Sequence, residues 1–427
     1  MKELQYDGVV IGAGAAGMAA ALELDAAGFK TALIDREDHL GGILMQCIHN
    51  GFGLHEFKEE LTGPEFAGRF IDRVLASGIT VYLNTTVTDF RAEPAGDDTS
   101  SASARKELFC VSPDLGVLHI RTRAVVLAMG CRERNRGNVR IPGSRPAGVY
   151  TAGLAQRLVN IEGYVPGKEV VIIGSGDIGL IMARRMTWVG CKVKAVVEIM
   201  PYPSGLTRNI VQCVRDFDIP LYLSSQTTNI FGNDRVEGVE VTPMADGILA
   251  PERKFRIDCD TVLLSVGLVP ENELSREAGV ELNATTGGPK VDAALMTNVE
   301  GVFACGNVLH VHDLVDWVAE ESRRAGIQAA AWLSGRRPGT QIRLKAGPNV
   351  RYVNPGKLDP HGENKVFLRS MIVKNDAVLE LKLDNQTFRT IKQPHVQPSE
   401  MISVNITPGD FERKLFSTES VVEFSIT

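Results

Sequence analysis

The sequence predicts an α/β chain that uses one strand–turn–helix–strand unit twice, the second copy inserted into the first domain, with an all-β region at the end. Three observations predict it. A short apolar run, Val9-Val10-Ile11, enters the turn Gly12-Ala13-Gly14-Ala15-Ala16-Gly17, and the pattern returns as Val170-Val171-Ile172-Ile173 entering Gly174-Ser175-Gly176-Asp177-Ile178-Gly179. Each copy closes on a second apolar run ending in an acid: Asp35, 23 residues after Gly12, and Glu198, 24 residues after Gly174. Past Gly339 no helical period is evident, and short alternating runs replace it.

In the first unit each residue type has a task. Gly12 allows the tight turn, Gly14 lets a backbone approach a pyrophosphate, and Gly17 lets helix and strand pack closely. Ala15 and Ala16 begin a helix whose free N–H groups and positive dipole end suit phosphates. Asp35 closes the second strand, where an acid accepts from ribose hydroxyls. Arg36 follows, then the pair Gly41-Gly42, suited to close approach of backbone to a ligand. Strand, helix and acid are all in place, so the glycine pattern reads as a Rossmann-like dinucleotide-binding domain.

Next comes a glycine-punctuated stretch that holds Cys47, His49 and His55 close together. Thr62-Gly63-Pro64-Glu65 opens a helix with Phe66, Phe70, Ile71, Val74 and Leu75 on one face. Strands are predicted at 79–83, 87–90, 107–111 and 117–120, with residues 94–103 as a polar hairpin tip. A buried strand over 124–130 ends at Gly130, and the basic, turn-rich 131–143 reads as a crossover between domains.

The second unit then supplies Gly174, Gly176, Asp177, Ile178 and Gly179 as its turn and Glu198 as its acid, a second Rossmann-like dinucleotide-binding domain. Strands follow near 221–223 and 236–241. A buried strand over 261–267, ending at Gly267, echoes 124–130, and a third ends in Gly306-Asn307. His310, His312 and Asp313 lead into a helix through Trp317, Ala319 and Ala329. Runs at 366–373, 377–383, 401–406 and 421–426 suggest an antiparallel β domain the size of a small sandwich. The predicted domains are therefore 1–150 with 256–335, 151–255, and 336–427.

Composition narrows the function classes. At 427 residues, 44% apolar and 23% charged, the chain is an ordinary globular protein with room for two or three cores. A net charge of −6 gives no reason to expect nucleic acid as a partner. No apolar run reaches the length of a membrane span. The first strand follows Met1 almost directly, which leaves no room for a signal peptide. Seven scattered cysteines without C-x-x-C spacing read as reduced thiols in a cytoplasmic protein.

Two dinucleotide units call for two dinucleotides. The layout resembles the two-dinucleotide-binding-domain flavoproteins, the superfamily of the pyridine nucleotide–disulfide oxidoreductases. That resemblance implies FAD on the first unit, a nicotinamide nucleotide on the second, and a returning strand with an Ala-x-Gly-Asp motif. Here that strand reads Ala304-Cys305-Gly306-Asn307, and the family's Ala-Thr-Gly reads Ala128-Met129-Gly130. Asparagine still hydrogen-bonds a hydroxyl, so FAD is expected to remain. The stretches 41–55, 59–65 and 310–316 are similar to the flavoprotein subunit found beside anaerobic glycerol-3-phosphate dehydrogenase, with opine oxidase and hydrogen cyanide synthase subunits as distant kin. The resemblance covers residues 1 to about 335 well and the C-terminal region loosely. It implies two partners, a glycerol-3-phosphate dehydrogenase-type flavoprotein and a small cysteine-rich protein.

Glu198, followed by Ile199 and Met200, favours NAD(H) over NADP(H), because an acid accepts from a free 2′-hydroxyl and repels a 2′-phosphate. Hydride transfer between the cofactors asks little of side chains. The resemblance places a helix N-terminus at the flavin, here near residues 312–314, and assigns His310 and His312 to the flavin surroundings; loop histidines facing solvent are the alternative. Cys47 is the other candidate, as a single redox thiol in a stand-alone NADH oxidase or peroxidase-like enzyme, with His49 or a helix end lowering its pKa. No metal is expected: Cys47, His49 and His55 lack a fourth ligand. A flavoprotein scaffold with little turnover alone is the reading from a different class. Natural acceptor and direction of electron flow stay open.

Overall fold

A computed structural model describes residues 1–92, 106–412 and 414–427, so the predicted hairpin tip at 94–103 lies outside the described residues. The chain divides into two compact units, Met1–Cys131 with Pro270–Thr427, and Arg132–Val269.

The first unit is built on a five-stranded parallel sheet. Its strands are β1 (Gly8–Ile11), β2 (Thr31–Ile34), β3 (Thr80–Tyr82), β4 (Ala124–Leu127) and, returning late in the chain, Val302–Ala304. The order is Val302–Ala304, β4, β1, β2, β3, and every pairing is parallel. The apolar runs seen in the sequence are continuous because β1, β2 and β4 are buried along their whole length. Helix α1 (Ala15–Ala26) follows β1 with Gly14 as its N-cap. Helix α2 (Gly63–Leu75) starts at a Thr62–Glu65 capping box with a proline in its first turn. It buries Phe66, Phe70 and Val74, while Leu75, predicted on that face, is 70% exposed. The last residue of the helix has turned past the apolar stripe.

The second unit holds a like five-stranded parallel sheet, except that its edge strand precedes the βαβ motif in the chain where that of the first unit comes last. Its sheet holds β5 (Val149–Thr151), β6 (Glu169–Ile173), β7 (Lys192–Val197), β8 (Leu221–Tyr222) and β9 (Thr261–Leu264), in the order β5, β9, β6, β7, β8. Helix α3 (Asp177–Trp188) follows β6. The central strand, β1 or β6, thus lies between the strand that closes its unit's βαβ motif and a strand contributed from later in the sequence. The internal repeat extends to the central strands of the two sheets.

The boundaries differ from those predicted. The chain enters the second unit after Cys131 and leaves it after Val269, rather than at 150/151 and 255/256. The reason is strand pairing: β9 pairs with β6 and β5 pairs with β9, so both belong to the second sheet.

The late strand is β10 (Val302–Ala304), and α4 (Val315–Leu333) follows it. The C-terminal region is all β: β11 (Ile342–Ala346), β12 (Val350–Asn354), β13 (Lys357–Leu358), β14 (Asn364–Ser370), β15 (Lys374–Leu383), β16 (Gln386–Val396), β17 (Met401–Ile406) and β18 (Val421–Ile426). A five-stranded sheet, β13-β11-β18-β15-β16, and a three-stranded sheet, β12-β14-β17, share one core that includes Ile342, Leu368, Leu379, Val404 and Phe424. Compactness groups this region with the first unit. The sequence pattern missed β11, β12, β13 and β16; β16 is an edge strand with exposed polar residues, and alternation is weak there. Among the described residues no helix is long and apolar enough to cross a membrane.

Candidate cofactor sites

In the first unit the C-terminal ends of β1, β2, β4 and β10 open on one edge, because the strands are parallel. Gly17 has no room for a side chain: a Cβ there would sit 1.6 Å from the Gly12 carbonyl oxygen. Gly14 is the opposite, with no heavy atom within 4 Å of an added Cβ and no side chain capping the helix it starts. The glycine at the helix N-terminus therefore faces open space, as a phosphate cradle requires. Ala15 and Ala16 form the buried first turn. Gly41 N–H donates to the Ala13 carbonyl at 3.0 Å, and a Cβ on Gly42 would lie 3.1 Å from the Gly14 Cα, so these two glycines wall the cradle. Asp35 accepts from the N–H of Ala13 at 2.5 Å and of Glu37 at 2.9 Å. Arg36 pairs with Glu271 at 2.8 Å, which raises its already high pKa. Gly130 also faces open space.

The second unit repeats these contacts. Glu198 is buried, and its carboxylate accepts from Ser175 N–H at 2.9 Å, Ser175 Oγ–H at 2.5 Å, Ser204 Oγ–H at 3.0 Å and Met200 N–H at 2.9 Å. Asp35 and Glu198 thus do the same local work, each holding the N–H of the residue between the first two glycines. Gly174 and Gly179 pack on Ser265, and Gly179 N–H donates to Ser265 Oγ at 3.0 Å. Gly176 is the N-cap of α3. Asp177 has a second duty: its Oδ1 accepts from Leu206 N–H at 2.8 Å and Asn209 Nδ2 at 2.6 Å, tying down the following helix. Ile178 is half-buried, and Gly267 accepts from Arg134 N–H at 3.0 Å.

His310 and His312 are buried, which corrects the alternative of solvent-facing loop histidines. Both ring Nε2 atoms meet Glu321 of α4, His310 at 2.8 Å and His312 at 3.2 Å. Glu321 also accepts from Gly306 N–H at 2.8 Å, and His312 N–H donates to Asn307 Oδ1 at 3.0 Å. Burial and the neighbouring His312 push His310 down to about 4, so it is a neutral donor at pH 7. Burial alone would raise Glu321, but the two imidazoles hold it well below the usual carboxylate range. The three residues also bring ligand-type atoms within 4.8 Å of one another, a grouping unforeseen in the sequence, where only Cys47, His49 and His55 were weighed.

Those three go to different tasks. His49 packs on Phe52 at 5.0 Å, and His55 stacks on Trp317 at 4.7 Å. The loop between them is pinned by the buried Asp316 in the first turn of α4, which accepts from the N–H groups of Gly53, His55 and Glu56 at 2.8–3.1 Å. Cys47 Sγ–H donates to the Ile43 carbonyl at 3.3 Å. The residue is half-buried as a whole, yet desolvation pushes its thiol up to about 12. That is opposite to the lowered pKa a thiolate nucleophile needs, and it counts against the catalytic role considered for Cys47. All seven cysteines are thiols. Cys191, Cys213 and Cys259 are buried, while Cys131 is half-buried, and Asn307 Nδ2 donates to its sulfur at 3.6 Å.

The family model of the pyridine nucleotide-disulphide oxidoreductases matches residues 6–332. The chain belongs to this family. It is 26% identical over 369 residues to the glutamate synthase [NADPH] small chain of Azospirillum brasilense, covering 79% of this chain and 69% of that one. It is 26% identical over 321 residues to an opine oxidase subunit of Agrobacterium tumefaciens, covering 71% and 61%. The crystal structure of T. acidophilum thioredoxin reductase shares the fold, with a TM-score of 0.62 and 24% identity over 77% of this chain and 98% of that one. The chain is accordingly a flavoprotein oxidoreductase with FAD and a pyridine nucleotide as cofactors. The open face at Gly14, walled by Gly41 and Gly42, fits a dinucleotide pyrophosphate. When bound, FAD supplies the hydride-accepting ring; the chain's own residues bind and orient.

The sequence did not point to Glu321 or Asp316. Glu321 and Asp316 lie inside a helix, where acids usually face solvent. Only burial, visible in three dimensions, marks them out.

Proposed function

We propose that the chain moves hydride between NAD(H) and its FAD as one subunit of an electron-transfer complex. The single observation that carries the choice of NAD(H) is Glu198. It follows β7 directly, its carboxylate at the second glycine turn, and the next side chains, Ile199 and Met200, are exposed and uncharged. A 2′-phosphate brought there meets negative charge, and neither of the next two side chains is an arginine. The glutamate synthase relative is named for NADPH; the acid at Glu198 is the reason for assigning the other nucleotide here.

The partner reading is supported by two relatives whose own names make them parts of larger enzymes, one a small chain and one a subunit. The lack of the Cys-x4-Cys or Cys-x-x-Cys spacing of a dithiol enzyme supports it too. The chain spans 69% and 61% of those relatives' own lengths. The proposed partners are a glycerol-3-phosphate dehydrogenase-type flavoprotein and a small cysteine-rich protein, and a cytoplasmic setting suits the seven thiols. Electrons from the dehydrogenase would reach FAD here and leave as NADH, or run the other way. Co-expression with such a dehydrogenase, size-exclusion chromatography and a coupled assay test it. Co-elution with glycerol 3-phosphate-dependent NAD⁺ reduction is the expected result. Separate elution with full NADH oxidase turnover by this chain alone would refute the proposed complex.

A further inference from the structure

We propose that the C-terminal β region is an internal lock on the FAD-binding turn, acting through the buried Glu321–His310–His312 cluster, with Glu321 as the positioning residue. The proposal rests on FAD occupying the first unit.

The chain of contacts starts at the turn itself. Gly306 and Asn307 follow β10 on the open edge of the sheet. Gly306 has φ +70, and a Cβ there would lie 2.8 Å from Ala16 Cβ in the first turn of α1, so the turn sits against the phosphate cradle. Its N–H is held by Glu321 at 2.8 Å. The Asn307 side chain is oriented from both ends, accepting from His312 N–H and donating to Cys131 Sγ. Glu321 then holds both imidazoles, so its two oxygens fix the turn and the loop after it together.

The outer wall of this cluster comes from the β region. Tyr352 of β12 reaches His310 Nδ1 at 3.4 Å, and the Phe367 ring of β14 packs 5.6 Å from His310 and 5.3 Å from His312. Arg369 donates to the Val311 carbonyl at 3.0 Å and is ion-paired with Asp313, whose other oxygen accepts from Met401 N–H at 2.5 Å. Lys365 pairs with Glu320 and lies 4.0 Å from the Trp317 ring centroid, at the start of α4. The segment between Asn307 and α4 is therefore clamped between Glu321 inside and the β region outside. A buried carboxylate left without its donors is costly, which ties Glu321 to both rings, while His312 Nδ1 stays buried without a partner. This gives the β region a task inside the chain, whatever else it binds.

Two properties follow. Loosening the cluster weakens FAD binding. Neutralising Glu321 also moves the flavin potential, because reduction adds negative charge near a buried carboxylate and removing that carboxylate makes reduction easier. A purely structural role would leave the potential in place. The charged groups that face Glu321 or flank it, Arg324, Arg369, Asp313 and Glu320, stay unchanged in this test.

The experiment uses the full chain, stripped of flavin and titrated with FAD, with the midpoint potential measured on the reconstituted protein. Glu321→Gln keeps the volume and is expected to weaken FAD binding about tenfold or more and to shift the potential positive. Arg369→Met, which cuts the link from the β region, is expected to weaken FAD binding by about fivefold. Tyr352→Phe removes one hydroxyl without threatening the fold and should weaken binding about twofold with Glu321 intact. The proposal is overturned if Arg369→Met binds FAD within twofold of wild type, or if Glu321→Gln does so with an unmoved potential. It is equally overturned if metal analysis finds one tightly bound ion per chain that Glu321→Gln releases, since the trio would then be a ligand set. Wild-type chain that releases no FAD on denaturation and takes none up contradicts the underlying cofactor assignment instead.

Discussion

Gly14→Ala isolates the phosphate cradle from the fold. Gly14 has φ −73 and ψ −171, a conformation open to any L residue, and its added Cβ meets nothing within 4 Å. In the flavin-free protein the exchange restricts the unfolded chain, a gain of about 0.4–1 kcal/mol. It replaces an N-cap glycine by alanine, a loss of about the same size. The apoprotein should therefore melt within about 3 °C of wild type. FAD must approach the same face, and the methyl removes one charge-assisted N–H contact worth about 1.5–3 kcal/mol. That is a loss of about 10- to 150-fold in affinity. Gly17→Ala is the control with opposite geometry: its Cβ would lie 1.6 Å from the Gly12 oxygen, so the variant should not fold around its first sheet. The assay is fluorescence titration of flavin-free protein with FAD, beside thermal unfolding without FAD. Gly14→Ala binding FAD within twofold of wild type, or melting far below it, would refute the reasoning.

Three further predictions concern nucleotide choice, the thiol and a buried lysine. Glu198→Gln removes the charge and one of the two accepting oxygens, its amide N–H₂ then facing a donor, so the NADH-over-NADPH preference in flavin reduction should fall several-fold, read by stopped-flow; an unchanged preference would contradict the role given to Glu198. Cys47→Ser should still take up two electrons per flavin from NADH. Because the folded thiol titrates near 12 against about 8.5 when unfolded, its stability contribution is complete below pH 8.5 and lost as pH rises toward 12. The serine variant should show a shallower alkaline decline in melting temperature. Lys106 is buried, its Nζ has no hydrogen-bond partner, and burial pulls it from 10.5 down to about 8. That depression costs about 3 kcal/mol at pH 7, offset in part by the cation–π contact with Trp332 at 5.1 Å, and the cost fades as pH rises from about 8 through 10.5. Lys106→Met should raise the melting temperature at pH 7 and much less at pH 10; equal shifts at both would sink the argument.

The parallel sheets were legible because a strand buried on both faces must be continuously apolar, and the first glycine turn because Gly12 and Gly17 leave no room for a Cβ. The acids Asp35 and Glu198 were legible from spacing alone. The boundaries were not, because β5 and β9 are joined to the second sheet by pairing across the chain, which no local pattern records. The cluster around Glu321 was only half legible. His310 and His312 stood out by type, but their partner is a helix acid 9 to 11 residues on, and its cover comes from strands near 352 and 367. Cys47 stood out by its neighbours, His49 and His55, and the structure turns those rings toward Phe52 and Trp317 instead.

The central claim is that one chain passes hydride between NAD(H) and FAD without a cysteine redox centre. The direct test is anaerobic titration of the purified, FAD-loaded chain with NADH, followed by the flavin absorbance. Complete bleaching after one NADH per FAD, unchanged in Cys47→Ser, is the predicted result. Uptake of a second NADH per FAD that Cys47→Ser abolishes, or no bleaching by NADH at all, would contradict it.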